Sequence, residues 1–281
     1  MALSELTVIL VIFNSSHCLR ARASFLRQLP NLILVDNASE DDSVDFIRKE
    51  IINATLISNR KNLGFGAANN QAIKAAQTPY LFLLNPDCVI SLEVLEKFFS
   101  YVDIYPGAAI LAPQLIKKNG DLDISYRWPR SYWRSDGNAS DADCCVGFVS
   151  GAAMLLNLKN SSQLIFDESY FLYYEDDDLC QRIFEEHSQI ILIPEIKIVH
   201  ELGGSVRYKK PFIQHFYGGY YMTQSEITYI TRYNSISFAR NRKIEIAFRS
   251  FIKLIFSFIF LNPRKFLRYA GKLFGILGLK T

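Results

Sequence analysis

Four side chains that could bind a cation or transfer a proton follow segments with the pattern of buried strands: Asp36, Asp87, Asp176 and His200. Asp87 comes just after the apolar run at residues 80–84. Pro86 cannot donate a hydrogen bond to a neighbouring strand, so the run ends before it. The chain therefore places a carboxylate at the carboxyl end of a core strand, where open α/β sheets bind their ligands.

Asp87 and His200 are together the candidate metal ligands. A carboxylate and an imidazole suit Mn²⁺ or Mg²⁺, and a buried carboxylate without partners would be costly. Two purely structural interpretations stay open. Asp87 or Ser91 can cap a helix over residues 91–102, and a single histidine is more often an ordinary core residue.

The run Asp176-Asp177-Asp178 is the candidate general base. It follows the aromatic segment 170–174, predicted as a strand, and starts a helix that reaches about residue 187. Mutual repulsion and the aromatic neighbours raise a carboxylate's pKa, which suits a base. The alternative is structural, because the helix dipole stabilises acidic residues in a first turn.

Asp36 is the candidate contact to a nucleobase. It ends the second predicted strand beside the end of the first, where a carboxylate could accept the N3–H of a pyrimidine. A role as a cap or turn residue is the alternative.

The elements that must position these side chains alternate regularly over the first hundred residues. Strands are predicted at 7–13, 32–35, 54–57 and 80–84, and helices at about 15–28, 39–49, 62–76 and 91–102. Such alternation predicts an α/β fold: a Rossmann-like, mostly parallel sheet with helices on both faces. Beyond residue 102 the sequence predicts strands at 108–116, 146–158, 190–194 and 197–199, and an irregular polar and aromatic stretch at 121–143.

Composition excludes several classes of protein. The 281 residues include 49% hydrophobic residues and carry a net charge of +3. Five cysteines without a CxxC pair argue against a disulfide framework or a structural zinc site and favour the cytoplasm. Neither a signal peptide nor a spanning segment of roughly 18 to 20 apolar residues is expected.

Gly64-Phe65-Gly66 matches half of the GxGxxG dinucleotide fingerprint. Asn69 stands where the third glycine belongs, and the motif follows the third strand rather than the first, so a nicotinamide cofactor is not expected. The helix that begins here can still meet an anion, or Asn69 can contact a nucleoside.

Taken in order along residues 6–205, these motifs resemble family 2 glycosyltransferases, and within them the rhamnosyltransferase-like subgroup. The matching segments are Phe13-Asn14-Ser15, Val35-Asp36-Asn37-Ala38-Ser39, Asn62-Leu63-Gly64-Phe65-Gly66 with Asn69, Leu84-Asn85-Pro86-Asp87, Gly151-Ala152 with Met154-Leu155, Phe171 to Cys180, and Val199-His200. The ordered set is far more specific than any single motif.

The resemblance implies a GT-A fold and inverting transfer from a nucleotide-diphosphate sugar. By that resemblance Asp176 is the catalytic base, Asp87 and His200 are the ligands of Mg²⁺ or Mn²⁺, and the donor or acceptor sugar lies near Gly151, Ala152 and Glu175. The implied donor-nucleotide contacts are Phe13, Asn14, Asp36, Asn62, Gly64, Asn69, Asn85, Pro86 and Asp87.

The sequence departs from the family pattern at two positions. Phe13 replaces the usual tyrosine, which removes a hydroxyl contact to the nucleotide. Asn85 replaces the first Asp of the DxD motif, which puts strict metal dependence in doubt. Arg127 or Arg134, in the irregular stretch, is a candidate clamp for the diphosphate or an anionic acceptor.

The C-terminal segment differs in character from the rest. From Arg240 to Thr281 there are ten Lys or Arg residues and one acid, Glu245, so this segment carries +9 and the remainder −6. The acidic remainder argues against nucleic-acid binding. We expect a glycosyltransferase domain at residues 1–240 and a basic, amphipathic helical appendage at 241–281, divided into two helices by Pro263. Contact with an anionic membrane surface is expected, while packing on the domain or on a second copy, as a homo-oligomer, stays open.

The sequence therefore predicts a sugar transferase for cell-surface polysaccharide or lipopolysaccharide, with a dTDP- or UDP-linked donor and a glycan or lipid-linked acceptor. It would be cytoplasmic or peripheral at the inner face of the plasma membrane. The alternatives are a sugar nucleotidyltransferase and a non-catalytic membrane-associated scaffold.

Overall fold

A computed structural model describes residues 2–127, 139–201, 204–207 and 212–278. The chain divides into two compact units. The first comprises Met1–Asp167 and Asp176–Val206, and the second comprises Glu168–Glu175 and Arg207–Thr281. The division into a glycosyltransferase domain at residues 1–240 and an appendage at 241–281 stays a prediction.

The first unit begins with a short 3₁₀ turn at Leu3–Glu5 and the expected alternation of strands and helices. Its first part contains β1 Leu6–Ile12, α1 Ser16–Leu26, β2 Leu32–Asp36, α2 Ser43–Glu50, β3 Ala54–Ser58, α3 Phe65–Ala75, β4 Tyr80–Leu84, β5 Cys88–Val89 and α4 Leu92–Ile104. Its second part contains β6 Ala108–Ile116, β7 Leu122–Asp123, β8 Tyr126–Arg127, β9 Cys144–Cys145, β10 Phe148–Val149, β11 Ala153–Asn157, α5 Glu175–Glu185 and β12 Gln189–His200.

The main sheet has the order β3-β2-β1-β4-β11-β6-β12-β5. The first four strands are parallel, and β6 is parallel to β12, whereas β11 runs antiparallel to both β4 and β6. The antiparallel β11 thus returns the chain to the carboxyl end of β4, with Ala153 opposite Leu84. A separate two-stranded ribbon pairs β8 with β10.

Alternate residues of the core strands face two different layers of helices. On β4, Phe82 and Leu84 pack in a cluster with α1, α2 and α4, while Leu81 and Leu83 pack in a second cluster with α3 and α5. Burial on both faces explains why these strands are apolar at every position. The predicted α/β sheet with helices on both faces is confirmed.

Three local predictions are wrong. Helix α2 begins at Ser43 rather than at Ser39, whose hydroxyl accepts the Asn14 N–H at 2.8 Å instead of capping a helix. The expected strand at 146–158 is split into β10 and β11 around Gly151. The aromatic segment before Asp176 is irregular rather than a strand, and Tyr173 and Tyr174 have φ values of 71° and 66°.

The second unit contains three long helices, α6 Ile213–Tyr233, α7 Ile236–Ile259 and α8 Pro263–Leu277. Pro263 begins α8, and the preceding Asn262 caps it by accepting the Lys265 N–H at 3.0 Å, so the predicted division into two helices at this proline is confirmed. Helices α6 and α8 approach so closely that a Cβ added at Gly219 would lie 2.1 Å from the Arg268 carbonyl oxygen. No described helix combines the length and apolar character that crossing a bilayer requires.

Candidate active site

The ends of β4 and β11 bring two of the predicted acidic residues to one rim of the sheet. The Asn85 N–H, just beyond β4, donates to the Ala152 carbonyl oxygen at 2.8 Å. Next to Ala152, the Gly151 N–H donates to the Asp176 carboxylate at 3.0 Å. Asp87 lies two residues after Asn85, so two groups separated by 89 positions in the sequence meet at the same edge.

Asp87 is buried and held by backbone donors. Its Oδ2 accepts the N–H groups of Gly204 and Ser205, each at 3.1 Å. The segment that supplies these donors is held in turn by the start of α1. There the Ser15 hydroxyl donates to the Ser205 carbonyl at 2.7 Å, and His17 Nε2 lies 2.7 Å from the Gly204 carbonyl.

A cation would fit beside Asp87. In the part of the chain that the structure describes, Asp87, Cys88 and His200 place one ligand atom each within 4.8 Å of one another. Asp87 Oδ1 and His200 Nδ1 are buried and have no hydrogen-bond partner among the described residues. His200 Nε2 lies 3.6 Å from Asp87 Oδ1, and Nδ1 lies 3.8 Å from the Asp123 carboxylate.

Cys88 is a poor member of this group. Burial raises the pKa of its thiol far above the usual range, with a smaller contribution from the Asp87 charge. The protonated sulfur lies 3.4 Å from the Ala152 carbonyl, to which it donates. Because metals bind the thiolate, the donor set that fits Mn²⁺ or Mg²⁺ is Asp87 with His200.

Asp176 lies in the first turn of α5 and is half-buried. Its Oδ2 accepts the Gly151 N–H and its Oδ1 accepts the Asp177 N–H, both at 3.0 Å. Burial raises the pKa of this carboxyl despite these two donors, which oppose the shift. Each oxygen retains lone pairs, so the group can accept a proton while its orientation is fixed.

The Gly151 position leaves little room for a larger residue. A Cβ there would lie 3.2 Å from the Phe65 ring and 3.6 Å from the Asp176 Cβ. Glycine thus lets the backbone N–H come close to the carboxylate. Ala152, the other predicted sugar neighbour, is buried, and so is Glu175, the first residue of α5.

Arg127 forms an ion pair with Asp177 at 2.9 Å, and its guanidinium stacks 4.0 Å from the centre of the Phe148 ring. Burial, followed by the neighbouring Asp176 charge, raises the pKa of Asp177 to about 7, and Arg127 opposes that rise. The arginine proposed as a diphosphate clamp therefore binds the acidic cluster. Arg134, the other candidate clamp, lies outside the described residues.

Asp36 and Asn14 lie together at the carboxyl ends of β1 and β2. Asp36 is buried, and both of its carboxylate oxygens accept the Ser39 N–H, at 3.2 and 3.3 Å. Asn14, with a φ of 51°, accepts the Glu40 N–H at 2.7 Å. Phe13, which precedes it, is half-buried.

Asn37 joins this corner to the glycine-containing loop before α3, a role that the sequence analysis missed. Its amide donates to Asn62 Oδ1 at 2.9 Å and to the Gly64 carbonyl at 3.0 Å, and its oxygen accepts the Leu63 N–H at 3.0 Å. Its position in the sequence could have indicated this role, because Asn37 directly follows Asp36 at the end of a strand. Gly64 has a φ of 91°, a conformation that favours glycine.

The remaining predicted nucleotide contacts are Asn69, Asn85 and Pro86. Asn69 is buried in α3 and its amide donates to the Phe65 carbonyl at 3.0 Å. Asn85 is half-buried and Pro86 is buried in the turn that leads to Asp87. The sequence analysis also missed Gly204 and Ser205 as holders of Asp87, since backbone donors leave no pattern in side-chain types.

The sequence matches the family model described as glycosyl transferase family 2 over residues 7–157, more than half of the chain. The chain belongs to glycosyl transferase family 2. The match covers the rim that carries Asp36, Asp87 and Gly151, and it ends before Asp176.

Relatives of this family 2 chain include an N-acetylglucosaminyl-diphospho-decaprenol L-rhamnosyltransferase of Mycobacterium tuberculosis, 24% identical over 202 residues. That match covers 60% of this chain and 66% of the relative, so the chain spans just under two thirds of its length. The rhamnosyltransferase WbbL of Escherichia coli is 24% identical over 159 residues, with coverage of 49% and 60%.

A solved mannosyltransferase from Pyrobaculum calidifontis, in complex with GDP-Man and Mn²⁺, has a similar fold. The TM-score is 0.56 at 11% identity, over 97% of this chain and 86% of that one. This family 2 chain therefore adopts the GT-A fold that its resemblance implied.

Proposed function

We propose that this protein is an inverting glycosyltransferase that moves a sugar from a nucleotide-diphosphate donor to a hydroxyl group of an acceptor. The observation that carries the proposal is the bond between the Gly151 N–H and Asp176, which holds a carboxylate of raised pKa at the rim that also carries Asp87. A base and a diphosphate-binding group at one rim are what this reaction needs.

Asp176 is proposed as the base. It removes the proton from the acceptor hydroxyl as that oxygen forms its bond to the anomeric carbon, while the bond from that carbon to the diphosphate oxygen breaks. The two backbone donors orient the carboxylate before the acceptor arrives, and its raised pKa makes proton transfer more favourable. Attack opposite the leaving group inverts the anomeric configuration.

The nucleoside end of the donor is proposed to lie against Asp36, Asn14 and the loop of Asn62 and Gly64. Asn37 ties Gly64 to the end of β2, so these groups form one corner at the carboxyl ends of β1 and β2. Phe13 and Asn69 complete this proposed set, and Asn85 and Pro86 lead the chain to the diphosphate at Asp87.

Asp87 Oδ1 and His200 are proposed to hold Mg²⁺ or Mn²⁺. A divalent cation there would neutralise charge that develops on the departing nucleoside diphosphate. The Pyrobaculum mannosyltransferase binds Mn²⁺ with its nucleotide sugar. Buried Asp87 Oδ1 and His200 Nδ1, which have no hydrogen-bond partner among the described residues, support a cation at the same rim here.

The names of the relatives favour rhamnose or another hexose as the transferred sugar and a lipid-linked acceptor. The proposed donor is dTDP- or UDP-linked, and the proposed acceptor is a glycan or a lipid-linked glycan. The proposed setting is the synthesis of cell-surface polysaccharide or lipopolysaccharide at the cytoplasmic face of the membrane. Residues 1–240 would carry the transfer, and residues 241–281 would serve as an appendage at the membrane surface.

The test compares the wild type with Asp176→Asn and with Asp121→Asn, an exposed control. A screen of nucleoside diphosphates by thermal shift first identifies the nucleotide that stabilises the fold. With the matching sugar donor and Mn²⁺, Asp176→Asn is expected to lower turnover at least about 1,000-fold while the shift persists, since a positioned base contributes up to about 10⁴-fold.

Two results would refute the assignment. Undiminished turnover in Asp176→Asn removes the base, and release of pyrophosphate rather than nucleoside diphosphate indicates a nucleotidyltransferase. Absence of binding by every nucleoside diphosphate would support the non-catalytic scaffold instead.

A further inference from the structure

Helix α7 has an inverted distribution of side chains. Its buried residues are Ala239, Ile246, Ser250 and Ser257, of which three are small and two carry hydroxyl groups. Its exposed residues include a series of large apolar side chains, Ile244, Phe248, Phe251, Ile255, Phe258 and Ile259. A helix that met only water on its outer side would have the opposite arrangement.

The exposed residues form one continuous face, called here the apolar stripe: Ile244, Phe248, Phe251, Ile255, Phe258 and Ile259. Their spacings of three and four, with the final Ile259 beside Phe258, place them on one side of a helix that turns about 100° per residue. The buried positions 239, 246, 250 and 257 lie on the opposite side. The stripe is therefore the surface of α7 that faces away from its own packing contacts.

The apolar surface continues into the turn between α7 and α8. Phe260 and Leu261 are among the most exposed apolar residues in the described chain, with 73% and 85% of their surface accessible. Phe258 contacts Phe266 of α8 with ring centres 6.2 Å apart. An exposed apolar surface of this extent marks an interaction site rather than scattered surface residues.

Exposed basic side chains are also present on α7 and α8. Six Lys or Arg residues of α7 and α8 are exposed: Arg240, Arg249, Lys253, Arg264, Lys265 and Arg268. The one acid, Glu245, lies in ion pairs with Arg242 at 2.7 Å and with Arg249 at 2.9 Å. The partner of this surface must therefore be apolar and negatively charged at once.

The charge of this segment distinguishes between the partners that could cover the apolar stripe. A second copy of the chain would bring one +9 segment against another, and like charges in contact are unfavourable. No described helix has the length and apolar character that crossing a bilayer requires. A lipid surface supplies both an apolar interior and anionic headgroups.

We propose that the apolar stripe inserts at the boundary between headgroups and acyl chains of an anionic bilayer surface, with α7 lying in the plane of the membrane. The Phe260-Leu261 turn enters with it, and the basic residues at the start of α8 contact the phosphates. This inference rests on the membrane-surface role proposed above for residues 241–281 and names the residues that make the contact. Membrane binding is measured without transfer activity, so its failure is distinguishable from failure of the proposed sugar transfer.

The test is flotation of the full chain with vesicles. Wild type is expected to float with mixed phosphatidylcholine and phosphatidylglycerol vesicles, to float much less with phosphatidylcholine alone, and to be released by salt. Phe258→Ser is expected to lower the partition coefficient about tenfold. The double variant Arg264→Gln and Lys265→Gln is expected to lower it about fivefold per charge.

The controls make the same chemical changes elsewhere. Ile52→Ser removes a side chain that is 86% exposed in the first unit, and Arg48→Gln with Lys49→Gln removes two exposed charges there. Both should float as the wild type does. Equal losses in the controls, absence of flotation, or a dimer in sedimentation that Phe258→Ser dissociates would each overturn the proposal.

Discussion

Two adjacent carboxylates at the start of α5 face different partners. Asp176 receives backbone donors, whereas Asp177 receives the Arg127 guanidinium at 2.9 Å. Since β8 and β10 pair through Arg127 and Phe148, the arginine stands on the ribbon that leads to Gly151. The ribbon thus holds Asp177, the nearby Gly151 holds Asp176, and the Arg127 charge limits how far the pKa values of both acids rise.

Removing that charge should change the pH profile of transfer. Arg127→Ala takes away the group that lowers the pKa of both Asp176 and Asp177, so both should hold their protons to higher pH. Because the base must be ionised, we expect the acid limb of kcat/KM to move upward by about one pH unit. The measurement is kcat/KM across the acid range for wild type and variant.

Arg127→Lys keeps the charge and should restore most of the profile, although it loses the planar stacking on Phe148. Arg27→Ala, which breaks an exposed ion pair with Glu50 at 2.6 Å, is the matched control. Surface pairs of that kind contribute about 0 to 1 kcal/mol. An acid limb that stays in place in Arg127→Ala would mean that the ion pair does not tune the base.

Residue types and their positions after strands were enough to select Asp36, Asp87 and His200 as candidates. The same reasoning missed Asn37 and assigned Arg127 to a substrate. Those two roles depend on partners at Gly64 and Asp177, far along the chain, and no local pattern encodes such a partner.

Helices α6 and α8 pack through glycine at the point of closest approach. A Cβ on Gly219 would lie 2.1 Å from the Arg268 carbonyl oxygen, which is backbone and cannot turn aside. Gly219→Ala should therefore force the helices apart and lower the free energy of unfolding by about 2–3 kcal/mol. Urea denaturation followed by circular dichroism measures this value.

The adjacent Gly218 provides the control on the same helix. Among the described residues, a Cβ there would meet only the Tyr173 hydroxyl, at 3.6 Å, an ordinary contact. Gly218→Ala should be neutral or stabilise the protein by up to about 1 kcal/mol, since alanine favours a helix over glycine. Equal destabilisation by the two substitutions would show that helix contact does not decide the effect.

The sequence predicted the strands and helices well and the irregular segments poorly. Continuous apolar runs identified β1, β2, β4 and β6 because strands buried on both faces leave that pattern. The segment before Asp176 looked equally strand-like, but Phe171 stacks on Tyr221 and Tyr174 packs on Tyr229, both in α6. Aromatic residues that pack on a later helix cannot be distinguished locally from those of a strand.

For the molecule as a whole, two acids with raised pKa values reverse the usual effect of carboxylates on stability as pH rises. Burial raises the pKa of Asp177 from 3.8 to about 7, and it raises the pKa of Asp176 as well. Between those values the folded chain binds more protons than the unfolded chain, so stability falls as pH rises. Asp41 and Glu201, whose pKa values are lowered, act in the opposite direction and only at lower pH.

We therefore expect the free energy of unfolding to decrease from about pH 4 to pH 7 by about 2–4 kcal/mol, at about 1.4 kcal/mol per unit of pKa difference. Asp177→Asn removes one of the two groups that bind a proton more tightly in the folded chain, so the slope should become shallower whatever the absolute stability. Asp121→Asn, in an exposed turn, should keep the slope. Urea denaturation at a series of pH values measures this slope.

A wild-type stability that rises with pH over this range would mean that the two carboxylates are already ionised there. Their site would then favour the charged forms that burial alone disfavours, and Asp176 would be a weaker base than its surroundings imply.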